Sequence, residues 1–202
     1  MLAACEITKI PLQENKIVVF GAGSAGTGIS DQIVDAMVKC GLTSEEAHKR
    51  FWLIDRQGLL IQNDPNLTPF QKAYARNTEE ISTWSIPDGQ YPSLLETIKQ
   101  IKPSMLIGCS AQPFAFTQEI IELMASHCKR PVIFPLSNPD DKCEASPLDV
   151  WTWTKGEALI ATGTRFEPIH SQNKFIEIAQ CNNALIFPGI GLGILSIEAS
   201  RL

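Results

Sequence analysis

A buried strand that runs straight into a glycine-rich turn and then a helix leaves few folds open. Residues 16–28, Lys-Ile-Val-Val-Phe-Gly-Ala-Gly-Ser-Ala-Gly-Thr-Gly, have that order. Gly21, Gly23 and Gly26 form G-x-G-x-x-G, and Ile29, Ile33, Val34, Met37 and Val38 continue at helical spacing. The three glycines do different things. The first permits the tight turn, the second lets a pyrophosphate approach the backbone, and the third lets helix and strand pack closely. Ser24 and Ala25 then open a helix whose free N–H groups and positive dipole end suit phosphates. The spacing predicts a dinucleotide-binding unit; a purely structural turn of the same kind is the competing reading.

A second apolar run, Phe51-Trp-Leu-Ile, ends in Asp55, an acid placed to bind the adenosine ribose hydroxyls. The interval exceeds the usual ~20 residues, so an additional helical piece is expected. Thr43-Ser-Glu-Glu46 reads as its capping box, starting just after Gly41 stops the first helix.

Further apolar runs alternate with helical patterns. Pro92–Ile101 and Phe116–His127 read as helices, Met105-Leu-Ile-Gly-Cys, Val132-Ile-Phe and Ala158-Leu-Ile-Ala as strands. Ser146-Pro147-Leu-Asp149 supplies an N-cap, a proline at N1 and an acid in the first turn of a helix carrying Trp151 and Trp153, which Gly156 ends. Leu67–Arg76 reads as a short helix or structured loop, Pro168–Ile178 as an excursion or hairpin. Ile186 onward opens a glycine-rich helix running to the chain terminus. Alternation of this kind predicts an α/β fold: a Rossmann-like, doubly wound parallel sheet in three α/β/α layers. With 202 residues the chain is read as a single domain, 1–202, in which residues 1–14 resemble the end of a preceding helix and suggest a piece of a longer protein.

Charge and cysteine usage exclude several classes. The net charge of −5, without any basic run, disfavours a nucleic-acid partner. No apolar run approaches the ~20 residues a membrane span needs. Six scattered cysteines without C-x-x-C spacing read as reduced thiols in a cytoplasmic setting, and no metal-ligand spacing is present.

Residues just past each strand are the candidates for ligand contact, because parallel sheets bind beyond the carboxyl ends of their strands. One of these stretches, Leu136-Ser-Asn-Pro139, together with Gln180-Cys-Asn-Asn-Ala-Leu-Ile-Phe-Pro-Gly189 further along the chain, resembles the NAD(P)-binding domain of malic enzymes, nearest to the bacterial NAD-linked type. Trp52-Leu-Ile-Asp-Arg-Gln-Gly-Leu, Lys102-Pro-Ser-Met-Leu-Ile-Gly, Ala161-Thr-Gly and Gly189-Ile-Gly-Leu-Gly fit the same pattern, in the family's order. The resemblance implies oxidation of (S)-malate with hydride transfer to NAD, then decarboxylation to pyruvate, with Mn²⁺ or Mg²⁺. Its base, acid and metal ligands lie upstream, so no catalytic residue and no metal ligand is assigned here, and this fragment alone is expected to be inactive. A homo-oligomer is implied for the full-length enzyme.

Carried over residue by residue, the resemblance makes Gly21, Gly23, Ser24, Ala25 and Gly26 the pyrophosphate turn and Asp55 the ribose ligand. Ser110 and Ala111 lie beside the cofactor. Asn138 reaches nicotinamide ribose and substrate, Asn182 a malate carboxylate, and Asn183 the cofactor. Asp55 would repel a 2′-phosphate, which favours NAD; Arg56 and Lys72 are the residues that would accept one in NADP. The chain departs from the family's Ser-Gly-Gln-Pro-Gly at Ser110-Ala-Gln-Pro-Phe114, placing larger residues at two glycine positions. Thr164-Arg165 and Leu195-Ser-Ile-Glu also differ from the usual pattern. A non-catalytic nucleotide-sensing module and another NAD-dependent dehydrogenase, such as an amino-acid dehydrogenase, are the alternative readings.

Overall fold

A computed structural model describes the chain except for residues 85, 88, 89, 172, 173 and 200–202. In chain order it runs α1 (Leu2–Thr8), β1 (Ile17–Phe20), α2 (Ser24–Lys39), α3 (Ser44–His48), β2 (Phe51–Asp55), β3 (Gly58–Leu59) and α4 (Thr78–Ile81). Then follow α5 (Leu94–Ile101), β4 (Met105–Gly108), α6 (Gln118–His127), β5 (Val132–Pro135), α7 (Pro147–Trp153) and β6 (Leu159–Thr162). The hairpin strands β7 (Ile169–Ser171) and β8 (Lys174–Ile176), β9 (Ala179–Gln180) and α8 (Phe187–Ser196) complete it.

Seven strands form one sheet in the order β3-β2-β1-β4-β5-β6-β9. The β1, β2, β4, β5, β6 and β9 pairings are parallel, and β3 alone turns back antiparallel on β2. Strand side chains alternate between two faces, so each central strand feeds two cores. Ile17, Val19, Leu53, Met105 and Ile107 pack with Ile33, Val34 and Met37 of α2 and Ala47 of α3. Val18, Trp52, Ile54, Leu106 and Ile133 pack with α5, α6 and α7 through Ile98, Ile121, Met124 and Val150. The result is the three-layer doubly wound architecture expected.

The chain leaves β1 toward β2, then returns to β4 on the opposite side of β1. This reversal puts the ends of β1 and β4 at a topological switch point, where the loops diverge and leave a crevice. The extra helical piece is α3, and Thr43 and Glu46 close the capping box. Ser146 caps α7 with Pro147 at its start. Pro168–Ile178 resolves as the β7–β8 hairpin, and Lys72–Tyr74 as a single 3₁₀ turn.

Two features differ from the sequence reading. The return strand β3 and the sheet member β9 have only two residues each, too short for a periodic pattern to show. The glycine-rich helix closes at Ser196, where Ile197 leaves helical geometry and Glu198 turns left-handed at φ 49°, and residues 200–202 lie outside the described residues. Phe187, Leu192 and Leu195 of α8 are 72, 67 and 77% exposed. Among the described residues no helix is long and apolar enough to cross a membrane.

Candidate functional site

The glycine turn owes its shape to contacts that forbid any larger residue. Gly21 has φ +105°, and a Cβ there would lie 2.4 Å from the carbonyl carbon of Cys109. At Gly26 it would lie 2.0 Å from the carbonyl oxygen of Gly21. Gly23 is the opposite case: a Cβ would meet nothing within 4 Å. Gly21 and Gly26 therefore serve the fold, and Gly23 faces the crevice.

The start of α2 carries the electrostatics. Its N-cap, Gly23, has no side chain to accept from the first N–H groups. In α3, α5, α6 and α7 the cap residues Thr43, Ser93, Thr117 and Ser146 accept such a bond. Ser24 and Ala25 are exposed in this uncapped first turn. A helix terminus left open over a crevice is a ready anion site, which fits a pyrophosphate.

Two clefts meet at Gly23 and Asp55. One, of about 190 Å³, is lined by Phe20, Gly21, Gly23, Asp55, Arg56, Cys109, Ser110 and Gln112. The other, of about 550 Å³, continues past Asp55 along Leu67, Phe70, Gln71 and Tyr91. Together they follow the switch point from β4 across β1 to β2. Asp55 is held from two sides: its Oδ1 accepts from Arg56 N at 2.9 Å and its Oδ2 from Gln71 Nε2 at 2.8 Å. Gln71 also donates to Ala22 O in the glycine turn at 3.0 Å. One nearly buried amide thus couples turn and acid. Sequence reading passed over Gln71 because its partners come from other elements; its place in a proline-bounded loop was the only local hint.

Ser110 and Ala111 stand at the exit of β4, but the Ser110 hydroxyl is engaged, donating to Glu144 Oε1 at 2.8 Å. Asn138 is exposed beyond β5, and its amide makes no hydrogen bond to another described residue. Asn182 Nδ2 donates to Gly163 O at 2.9 Å and its Oδ1 accepts from Ala184 N at 2.8 Å, so it also caps the turn Asn183–Leu185. Asn183 is exposed. Gly163 lies against the Asn138 side chain, for its absent Cβ would come 2.9 Å from Asn138 Oδ1. The structure thus brings Asn138 and Asn182 to the same glycine. Neither cleft is lined by either asparagine or by Asn183.

Cys109 lines the smaller cleft with a thiol that burial, and then the charge of Glu144, pushes from 9.0 up to about 12. The neutral thiol is the folded form, so its contribution to stability is complete below pH 9.0 and is lost as pH rises toward about 12. Melting temperature is expected to fall more steeply over that window in the wild type than in Cys109→Ala. Equal slopes would show that the thiol contributes nothing. All six cysteines are free.

Comparison with known proteins identifies the family. The family described as "Malic enzyme, NAD binding domain" matches residues 1–202. The chain is 49% identical over 202 residues to the NAD-dependent malic enzyme of Shewanella pealeana, and 48% to that of Shewanella frigidimarina. It covers 36% of each, so it spans about a third of the length of these relatives. Among solved structures, the NAD-dependent malic enzyme of Thermotoga maritima superposes with a TM-score of 0.63 at 27% identity, over 94% of this chain and 41% of that one. The malic enzyme of Entamoeba histolytica gives 0.65 at 24% identity over 98% of this chain and 35% of that one, a likeness of fold. A match that runs from the first residue to the last leaves no part of the sequence unaccounted for: the chain belongs to the malic enzyme family, as its NAD-binding domain.

Proposed function

We propose that this domain holds NAD across the switch-point crevice for a longer protein that oxidises and decarboxylates (S)-malate to pyruvate and CO₂. The observation that carries the reading is the uncapped start of α2 facing a crevice with a fixed carboxylate at its far side. Gly23, Ser24 and Ala25 receive the pyrophosphate in the turn that Gly21 and Gly26 shape. Asp55 accepts from the adenosine ribose hydroxyls, and Ser110 and Ala111 flank the nicotinamide half. Asn138 serves nicotinamide ribose and substrate, Asn182 a malate carboxylate, and Asn183 the cofactor. An amide suits such contacts because it donates to a carboxylate without titrating itself. The bound dinucleotide supplies the hydride acceptor.

General base, general acid and divalent metal are assigned to segments other than this one. Among the described residues no three His, Cys, Asp or Glu side chains converge on a point, so these residues do not fit a Mn²⁺ or Mg²⁺ ion and no step is assigned to one. We place the longer protein in the cytoplasm, a reading supported by the free thiols, and as a homo-oligomer, which the family resemblance implies. Malate-dependent NAD reduction with Mn²⁺ by the full-length protein tests the substrate. Activity on an amino acid instead of malate would overturn it.

The fixed Asp55 carboxylate supports NAD over NADP, since a 2′-phosphate would meet an anion already held in place. Tryptophan-quenching titration is expected to give NAD at least about tenfold tighter binding than NADP, roughly 1.4 kcal/mol. Asp55→Asn is expected to weaken NAD by about tenfold through the loss of charge-assisted bonds. Tighter binding of NADP by the wild type would reverse the assignment.

A further inference from the structure

Glu144 is fully buried, yet it is a charged residue type with no cationic partner among the described residues. Such a group is retained at a cost unless hydrogen bonds satisfy it. Here they come from two separate loops. Oε1 accepts from Ser110 N at 2.8 Å, Ser110 Oγ at 2.8 Å and Ser137 Oγ at 2.5 Å, and Oε2 accepts from Ser137 N at 3.4 Å. The polarity of the network is set from outside. Ser137 Oγ accepts from Ala111 N at 2.8 Å, and Ser110 Oγ from Gln112 N at 3.1 Å. Each hydroxyl therefore takes a backbone N–H and turns its own hydrogen toward the carboxylate.

The carboxylate lies over the end of β4, in space that Gly108 leaves open: a Cβ there would stand 2.5 Å from Glu144 Cδ. The loop it holds is under strain. Ala111 and Phe114 have φ of 54° and 59°, the left-handed region that non-glycine residues avoid at roughly 1–2 kcal/mol each. Such conformations persist only where their surroundings over-determine them. Phe114 N to Cys143 O and Phe116 N to Glu144 O complete the restraint. One residue thus braces both strand exits on the nicotinamide side of the switch point, whereas Asp55 and Gln71 stand on the adenosine side.

We propose that Glu144 is a positioning residue for the nicotinamide half of the cleft: it locks the Ser110–Phe114 loop, whose Ser110 and Gln112 line the smaller cleft, to the Ser137–Asn138 turn. The proposal rests on the assignment of this crevice to a dinucleotide. Its test separates the two halves of the ligand, because a general loss of structure weakens them alike. NAD and ADP, which carries adenosine and pyrophosphate without nicotinamide riboside, are titrated into the 202-residue chain and its Glu144→Ala variant. NAD affinity is expected to fall about tenfold, and ADP affinity by less than twofold. Glu144→Gln keeps one oxygen for the three donors now on Oε1 and should bind NAD within about threefold of the wild type. Ser137→Ala removes one donor to Glu144 and the acceptor of Ala111 N, and gives an independent reading if Glu144→Ala does not fold; a threefold selective loss of NAD is expected. Unchanged NAD binding in Glu144→Ala and Ser137→Ala, or equal losses for NAD and ADP in them, overturns the positioning role. A wild-type chain that binds neither ligand overturns the cofactor assignment itself and this proposal with it.

Discussion

Gly26→Ala is expected to destabilise the domain by at least about 3 kcal/mol, whereas Gly23→Ala leaves it folded and takes away the cofactor. The two residues are three apart in one turn, and their surroundings decide the contrast. At position 26 the new methyl would lie 2.0 Å from the Gly21 oxygen, 3.1 Å from its carbon and 3.2 Å from Val19 Cγ1. Two of those obstacles are backbone and cannot rotate away. Relief requires α2 to move off β1, at the upper end of the ~1–3 kcal/mol that overpacking costs. For a domain of this size that lowers the melting temperature by roughly 6–12 °C. At position 23 the methyl enters open space, and the backbone, at φ −76° and ψ −169°, suits alanine. Stability should change by less than about 1 kcal/mol. The methyl would occupy the approach of the pyrophosphate, so NAD binding should weaken by at least about tenfold. Thermal unfolding and NAD titration on both variants check the pair. Wild-type affinity in Gly23→Ala would mean that the phosphates do not cross this residue.

Gly163→Ala carries the second large effect. Its methyl would stand 2.1 Å from Leu136 O and 2.7 Å from Leu136 C, at the turn that leads into Asn138. The same residue's carbonyl receives the Asn182 amide. Displacing it disturbs both asparagines at once, with a stability loss of about 3 kcal/mol by the same overpacking argument. ADP binding should persist in the folded fraction, because Asp55 and the glycine turn lie on the other side of the switch point. Malate-dependent turnover of the full-length protein should be lost. Asn182→Ala is the milder control: it removes the cap on Ala184 N and costs about 1 kcal/mol. Turnover that survives Gly163→Ala would detach Asn138 and Asn182 from the substrate.

What could be read in advance was whatever a short stretch of chain determines by itself. The glycine turn, the Thr43–Glu46 box and the Ser146-Pro147 start are local devices, and each stands where its residues indicated. The doubly wound sheet followed from the alternation of apolar runs and helical spacing. Gln71 and Glu144 were invisible for the opposite reason. Gln71 meets Ala22 across 49 residues, and Glu144 meets Ser110 across 34. No periodicity records such partners. Glu144 sits between Cys143 and Ala145, all three buried, and an acid between two small apolar residues was the single available sign. The hydrogen bond of Ser110 was equally hidden: its position beside the crevice was legible, the direction of its hydroxyl was not.

The two ends of the sheet decide how the isolated domain would stick to itself. β3 and β9, the outermost strands, offer two residues each, too few to template another strand. Apolar side chains along α8 remain as the adhesive surface. Self-association would therefore proceed through reversible greasy contact rather than growth of a cross-strand fibril. Contact of that kind loosens on cooling, so the domain should disperse in the cold and cloud on warming well before it unfolds.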